Sequence, residues 1–302
     1  MKHIRSAALE RSISFLKYKF FALGLSGLVF AFFIVGTVTR GGFTWGIDFA
    51  GGVKITAEFE QEVHLNDIRG ELGKAGVGAE VQRIGKEELN QYVISTKLLG
   101  KGESSEKSSQ IIQGILNKSF KNVKFQGIET VGPAIGNFLK KSALKLGLVA
   151  TVFMMLYLWF RFELKYSVGV MTAVLHDVFL SLLFCGFMGV EINIPIIAAM
   201  LTIFGFSVND TIVIFDRVRE NMQIKSKQTF TQIIDKSLLE TLSRTIITTL
   251  TVLFCVLSLY LIGEGTISDF ALVMLVGLVA GTYSTIYIAS PAVLAWEKLT
   301  TK

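Results

Sequence analysis

The stretch Ile192–Phe215, INIPIIAAMLTIFGFSVNDTIVIF, decides how this chain is read. Its only ionisable residue is Asp210, and it is long enough to cross hydrocarbon, which takes ~20 helical residues. An ionised carboxylate is costly at such depth, so an acid inside a span marks a functional position by default. Ser207 and Asn209 lie beside it, and Asp216, Arg217 and Arg219 close the same helix. At ~1.5 Å per residue, Asp210 lies roughly 9 Å from the middle of the span, towards its basic end. That depth removes bulk water yet leaves the surface near enough for proton exchange.

The rest of the chain supports a membrane reading. Of 302 residues, 51% are hydrophobic, 18% are charged and three are prolines. The mean hydropathy of +0.54 excludes an ordinary soluble domain. Five further stretches qualify as spans: Phe20–Val38, Leu146–Phe160, Val168–Val190, Thr245–Ile262 and Phe270–Val293. The second is short, and Lys145 and Arg161 are expected to snorkel at its ends.

The net charge of +6 is a topology signal. Lys2, Arg5, Arg11, Lys17 and Lys19 precede the first span. Arg161 and Lys165 fill the second connection, and Arg217, Arg219, Lys225, Lys227, Lys236 and Arg244 the fourth; Lys298 and Lys302 end the chain. The short connections around Glu191 and Glu264–Asp269 contain no Lys or Arg. By the positive-inside rule both termini are cytoplasmic and the large loop is extracytoplasmic, a distribution that argues against nucleic acid as the partner. The expected organisation is a cytoplasmic N-terminus over 1–19, a first helix over 20–38, an outer domain over 39–141 and helices two to six over 142–302. A cytoplasmic amphipathic segment is expected at about 217–243. The two cysteines, Cys185 and Cys255, both fall in spans, so the outer domain folds without disulfides. The long first span reads as an uncleaved anchor.

In the outer region, Val53–Phe59, Glu80–Ile84, Tyr92–Leu98 and Val123–Val131 read as strands, and Leu65–Ala75 and Ser105–Phe120 as helices. The Gly100–Ser109 cluster reads as a loop running into a helix start. The order β-α-β-β-α-β predicts a ferredoxin-like α+β unit. His64 has no second histidine or cysteine nearby, and Glu58, Glu60 and Glu62 read as a solvated strand end. No enzymatic, cofactor or metal site is expected; a domain of this kind suits binding of a polymer or a partner. Gly46, Asp48, Gly51 and Gly52 before it, and Gly132 and Pro133 after it, allow two reversals of the chain and are candidate hinges.

The third span carries His176 and Asp177 near its midpoint. Successive helical residues point about 100° apart, so at least one must find a partner on another helix, for proton handling or as a structural contact. The fourth span has a small, polar stripe at Thr202, Gly205, Asn209 and Asp216. The fifth starts with Thr241, Arg244, Thr245 and Thr248, and the sixth carries Gly277, Gly281 and Ser284, a close-packing pattern. Together these faces predict a bundle interior with an acid, an arginine and several hydroxyls. Thr229-Phe230-Thr231-Gln232 is a capping box. Phe230, Ile233, Ile234, Leu238 and Leu242 then form an apolar stripe opposite Asp235, Lys236 and Glu240, which predicts a helix at the membrane surface.

Four segments carry a family resemblance: Gly46–Gly52, Val131-Gly132-Pro133, His176-Asp177-Val178 and the ordered run Ser207–Asn221, SVNDTIVIFDRVREN. With six spans and one outer domain after the first, they resemble the SecD/SecF family of the bacterial Sec protein-export machinery. That family belongs to the broader resistance-nodulation-division transporter group. The compact outer domain is similar to that of SecF-type members, since the SecD type carries a larger outer region.

The resemblance implies a complex with SecD, working beside the SecYEG channel and the SecA ATPase, often with YajC. Such a complex uses the proton motive force across the inner membrane to assist late steps of protein translocation. Its outer domains engage the translocating polypeptide. The family's proton-pathway residues correspond to Asp210 and Arg244. From the residues themselves, Asn209, His176 and Asp177 join them as candidates. Two other readings stand beside this one. Half of a proton-driven small-molecule exporter normally comes with twice the helices and two large outer domains. A non-transporting receptor leaves Asp210 and Arg244 without a task.

Overall fold

The computed structural model describes residues 14–84, 90–97, 105–224 and 228–300. The topology-setting Lys2, Arg5, Arg11, Lys225, Lys227 and Lys302, and the start of the Gly100–Ser109 loop, lie outside the described residues.

Among the described residues, six helices are long and apolar enough to cross a membrane. After a short 3-10 turn at Phe15–Tyr18, α1 runs over Lys19–Thr39. A single turn, α2 (Ile47–Ala50), leads into the outer domain. Past that domain come α5 (Pro133–Arg161), α6 (Leu164–Met188), α7 (Ile194–Gln223), α8 (Phe230–Ile262) and α9 (Thr266–Ser284). A π-helical turn at Thr285–Ala289 joins α9 to α10 (Ser290–Thr300). Helices α6, α7 and α9 form the centre, while α1, α5 and α8 expose most of their surface. Gly277 sets the α7–α9 contact: a Cβ there would lie 2.2 Å from Ile203 Cδ1, so only glycine admits this approach.

The outer domain is β1 (Gly52–Phe59), α3 (Leu65–Lys74), β2 (Ala79–Ile84), β3 (Gln91–Thr96), α4 (Ser105–Ser119) and β4 (Val123–Val131). Its sheet is antiparallel in the order β2-β3-β1-β4, the split βαβ topology expected from the sequence. Alternating Val53, Ile55, Ala57 and Phe59 on β1 meet Ile68 and Leu72 of α3 and Ile112 and Leu116 of α4 in one core. His64 merely precedes α3, without a side-chain cap bond. Glu58 and Glu60 accept hydrogen bonds from amides, including Gln91 and Asn122.

Two expectations about the membrane half change. The short second span is the end of a 29-residue helix; Pro133 starts it because a first-turn proline lacks only a donor that would be idle. The helix predicted at the membrane surface is the first part of α8. Its capping box forms as expected, with Thr229 N donating to Gln232 Oε1 at 2.9 Å and Gln232 N to Thr229 Oγ1 at 3.4 Å. Its apolar stripe is buried inside the protein: Ile233, Ile234 and Leu238 share a core with Tyr166, Phe215 and Val218. Asp235, expected on the polar face, is buried because the N-terminal segment folds over it. Ser14 Oγ and the Leu16 N–H donate to its two oxygens at 2.6 and 3.0 Å.

Candidate functional site

The bundle holds two buried acids in different surroundings. Asp177, on α6, is fully buried. Its Oδ1 lies 2.8 Å from His176 Nδ1, and its Oδ2 accepts from Ser207 Oγ of α7 at 2.6 Å and Ser284 Oγ of α9 at 2.7 Å. His176 Nε2 in turn lies 2.6 Å from Ser26 Oγ of α1. A polar chain thus crosses the bundle from α1 through α6 to α7 and α9, and both members of the His-Asp pair find partners on other helices. Gly281 lies alongside it, and a Cβ there would make only ordinary contact with Asp177 Oδ2, at 3.6 Å. One turn further, Thr285, in the π-helical turn, pairs with Thr211 Oγ1 at 3.1 Å. Single π turns inside helices occur often at functional sites.

Asp210, one turn along α7 from Ser207, is 7% exposed. Its Oδ1 accepts from Thr245 Oγ1 of α8 at 2.8 Å. Its Oδ2 is buried with no hydrogen-bond partner among the described residues. A carboxylate offers about four lone-pair sites, so one half of this group is idle in a medium where idleness is costly. Arg244 adjoins Thr245 in the chain but is exposed and makes no ion pair with Asp210 among the described residues. The sequence-predicted acid and arginine are neighbours across a helix contact, held apart.

The small, polar stripe does not line the interior. Thr202, Gly205 and Asn209 face outward, and nothing lies within 4 Å of a Cβ built on Gly205. Thr202 Oγ1 satisfies itself on Ala198 O at 2.8 Å. The stripe, like Arg244, is therefore open to a neighbour outside this chain.

The glycine-rich segments meet each other. Gly46 N donates to Ile192 O and Ile192 N to Thr44 O, at 2.9 and 2.8 Å. Asp48 Oδ2 accepts from the Ile194 N–H at 2.9 Å, at the positive start of α7. Gly51 has φ of 74° and sits against Pro133: its Cβ position lies 3.2 Å from Pro133 Cα. A Cβ on Gly52 would fall 2.3 Å from Thr96 O. Gly132 caps α5 with extended backbone. The candidate hinges thus form one packed knot binding the outer domain, α5 and α7.

Sequence reasoning missed Ser26 and Thr285. A lone serine on an apolar span and a threonine after a glycine pattern give no signal until α1 and α9 are seen beside α6 and α7.

This is a multi-pass membrane protein with an α+β domain, a saturated carboxyl at its centre and an unsaturated one on the neighbouring helix. A model of the C-terminal part of the SecD/SecF protein export membrane proteins matches residues 111–299, and the SecD/SecF GG motif matches residues 38–63. A protein named protein translocase subunit SecF from Endomicrobium trichonymphae is 36% identical over 290 residues, covering 95% of this chain and 91% of that one. The crystal structure of SecDF from Thermus thermophilus is 32% identical, with a TM-score of 0.82 over 95% of this chain. A SecDF structure in a super-membrane-facing form gives 0.69 over 96%. This chain spans 39% of either SecDF chain. The chain belongs to the SecD/SecF family.

Proposed function

We propose that this chain is the SecF-type half of a SecD–SecF complex in the bacterial inner membrane. The complex uses the proton motive force to assist late steps of translocation through SecYEG, with SecA and YajC as working neighbours. Both termini are cytoplasmic, and the α+β domain lies outside, where it meets the emerging polypeptide. The outward stripe Thr202, Gly205 and Asn209 supports a partner: small residues let a second helix approach closely, and polar ones bond across to it. The unequal matches to the two SecDF structures, 0.82 and 0.69, support a family backbone that takes more than one form.

The observation that carries the proposal is the idle Oδ2 of Asp210. A neutral acid donates a hydrogen bond and a charged one seeks a cation, so the group has two states and a partner for the second in Arg244. As α8 shifts, Arg244 approaches or leaves, and Asp210 releases or takes up its proton. Each elementary charge crossing the membrane yields roughly 2.3 kcal/mol per 100 mV, so many cycles are spent on one substrate. His176 and Asp177 hold the bundle in register for that shift, and the Gly46–Pro133 knot passes it to the outer domain.

The test is translocation into membrane vesicles with and without a proton gradient. Asp210→Asn keeps the shape and removes the titration. It should abolish the gradient-dependent part while leaving assembly and SecA-driven translocation intact. Full gradient stimulation in that variant would exclude Asp210 as the carrier.

A further inference from the structure

Beside the glycine knot, the outer domain also faces the bundle along its β2 edge. The chain enters the sheet on β1 and leaves it on β4, which are neighbours, whereas β2 is the opposite edge, two strand spacings or roughly 10 Å from β1. On that edge Glu80 shares the lining of one cavity with Glu191, in the connection between α6 and α7, which brings the two carboxyl groups near enough to act on each other. The backbone beside Glu191 is fixed by the paired Thr44, Gly46 and Ile192 groups. Cavities of about 460 and 430 Å³ lie against Glu191 where sheet and bundle meet, and Glu80 lines the first. The junction is therefore only partly closed, with room to open.

An ionised carboxyl group has acceptors and no donor. Two glutamates can bond to each other only while they hold a proton between them. We propose that Glu80 and Glu191 are a proton-held latch that seats the β2 edge of the outer domain on the outer end of the bundle. When closed, the protonated oxygen of one carboxyl donates to the other; on opening, that proton passes to water and leaves two carboxylates that repel.

The surroundings favour the closed, protonated form. Burial first, and then the Glu80 carboxyl, push Glu191 up to about 8, with Asp269 adding to the rise and Lys54 opposing it. The value belongs to the pair. Of the other charged groups lining the two cavities, Glu129 and Glu264 add negative charge and Asp48 is engaged with Ile194 N. Arg69 donates to Val81 O, and Lys97 lies at the first cavity. Because the raised value belongs to the docked state, the proton's contribution to docking is fully present below the free value of 4.5. It is lost as pH rises through about 8. Given the topology proposed above, on which only its orientation rests, the latch shuts on the proton-rich side and opens as protons are drawn inward.

The experiment uses the full chain in lipid nanodiscs, with Cys255→Ser and spin labels on Lys74→Cys in α3 and Ile262→Cys at the end of α8, both exposed. Pulsed electron resonance should give one short distance at pH 5. At pH 9 a longer one should be at least tenfold more populated. Glu191→Gln and Glu80→Gln each place an amide donor opposite the remaining carboxylate, so both should keep the short distance at either pH. A wild-type distribution unchanged between pH 5 and pH 9 would overturn the latch, as would a shift that persists in both glutamine variants. The readout involves no translocation, so the latch and the export function fail separately.

Discussion

Asp177 and Asp210 are both aspartates, both buried, and both face neighbouring helices of one bundle. Asp177 has its two oxygens committed to His176, Ser207 and Ser284, while Asp210 has one oxygen on Thr245 and one on nothing. A saturated acid fixes the arrangement of the elements around it, because moving any of them strands a polar group in a medium without water. An unsaturated acid has free-energy reason to change partner or charge. The same residue type therefore serves as a bolt on one helix and as a moving part on the next. Satisfaction, rather than burial, separates the two roles.

The contrast breaks first in stability. Asp177→Ala removes the acceptor of three donors at once and should cost about 2–4 kcal/mol, read as lower resistance to heat in detergent. Asp210→Ala should cost under ~1 kcal/mol by the same measurement. Equal losses would mean that satisfaction does not distinguish them.

A middle-sized effect comes from splitting the saturated site. Ser284→Ala and Ser207→Ala should each cost roughly 0.6–1.7 kcal/mol, with the double variant departing from additivity because both share Asp177 Oδ2. A double-mutant cycle with a zero interaction energy would contradict the shared acceptor.

Thr245→Val sharpens the other side. It deletes the one hydrogen-bond donor to Asp210 among the described residues and leaves the saturated acid alone, so thermal resistance should fall by less than ~1 kcal/mol. Gradient-dependent translocation should change several-fold and return in Thr245→Ser. The smallest effect on translocation belongs to Asn193→Ala, which loses the cap on the Ile196 N–H at the start of α7. It should cost about 1 kcal/mol without altering the gradient dependence, since α7 carries both sites equally.

Much of this was legible in the chain because hydrocarbon is an unforgiving solvent. A span announces itself by length and composition, and Asp210 and His176-Asp177 stand out by cost alone. The outer domain was legible too, because period-two alternation in Val53–Phe59 and turn residues between segments survive without knowledge of partners. Direction on a helix was not. The stripe Thr202, Gly205 and Asn209 reads the same whether it lines an interior or waits for a neighbour, since lipid and protein core are equally apolar. Phe230–Leu242 failed for the same reason: an amphipathic pattern fits a membrane surface and a protein groove alike. Contacts such as Ser26 with His176 join residues 150 positions apart, and no local pattern encodes them.

That distance has a consequence for how the chain is made. Helix α1 is made before the helices it packs against, yet it and the segment leading into it are tied to Asp235, His176 and Tyr283, which follow their partners Ser14, Ser26 and Ala22 by 221, 150 and 261 positions. At ~5–20 residues per second, the last of these is synthesised roughly 13–52 s after its counterpart. Until α6 follows, α1 has only lipid and the insertion machinery for company, and its tie to Tyr283 waits longer still. The nascent membrane half is an open arc that closes only when its final helix arrives. Chains released after α8 should leave a cysteine placed at Ala22 reactive to membrane-permeant reagents, and full-length chains should protect it.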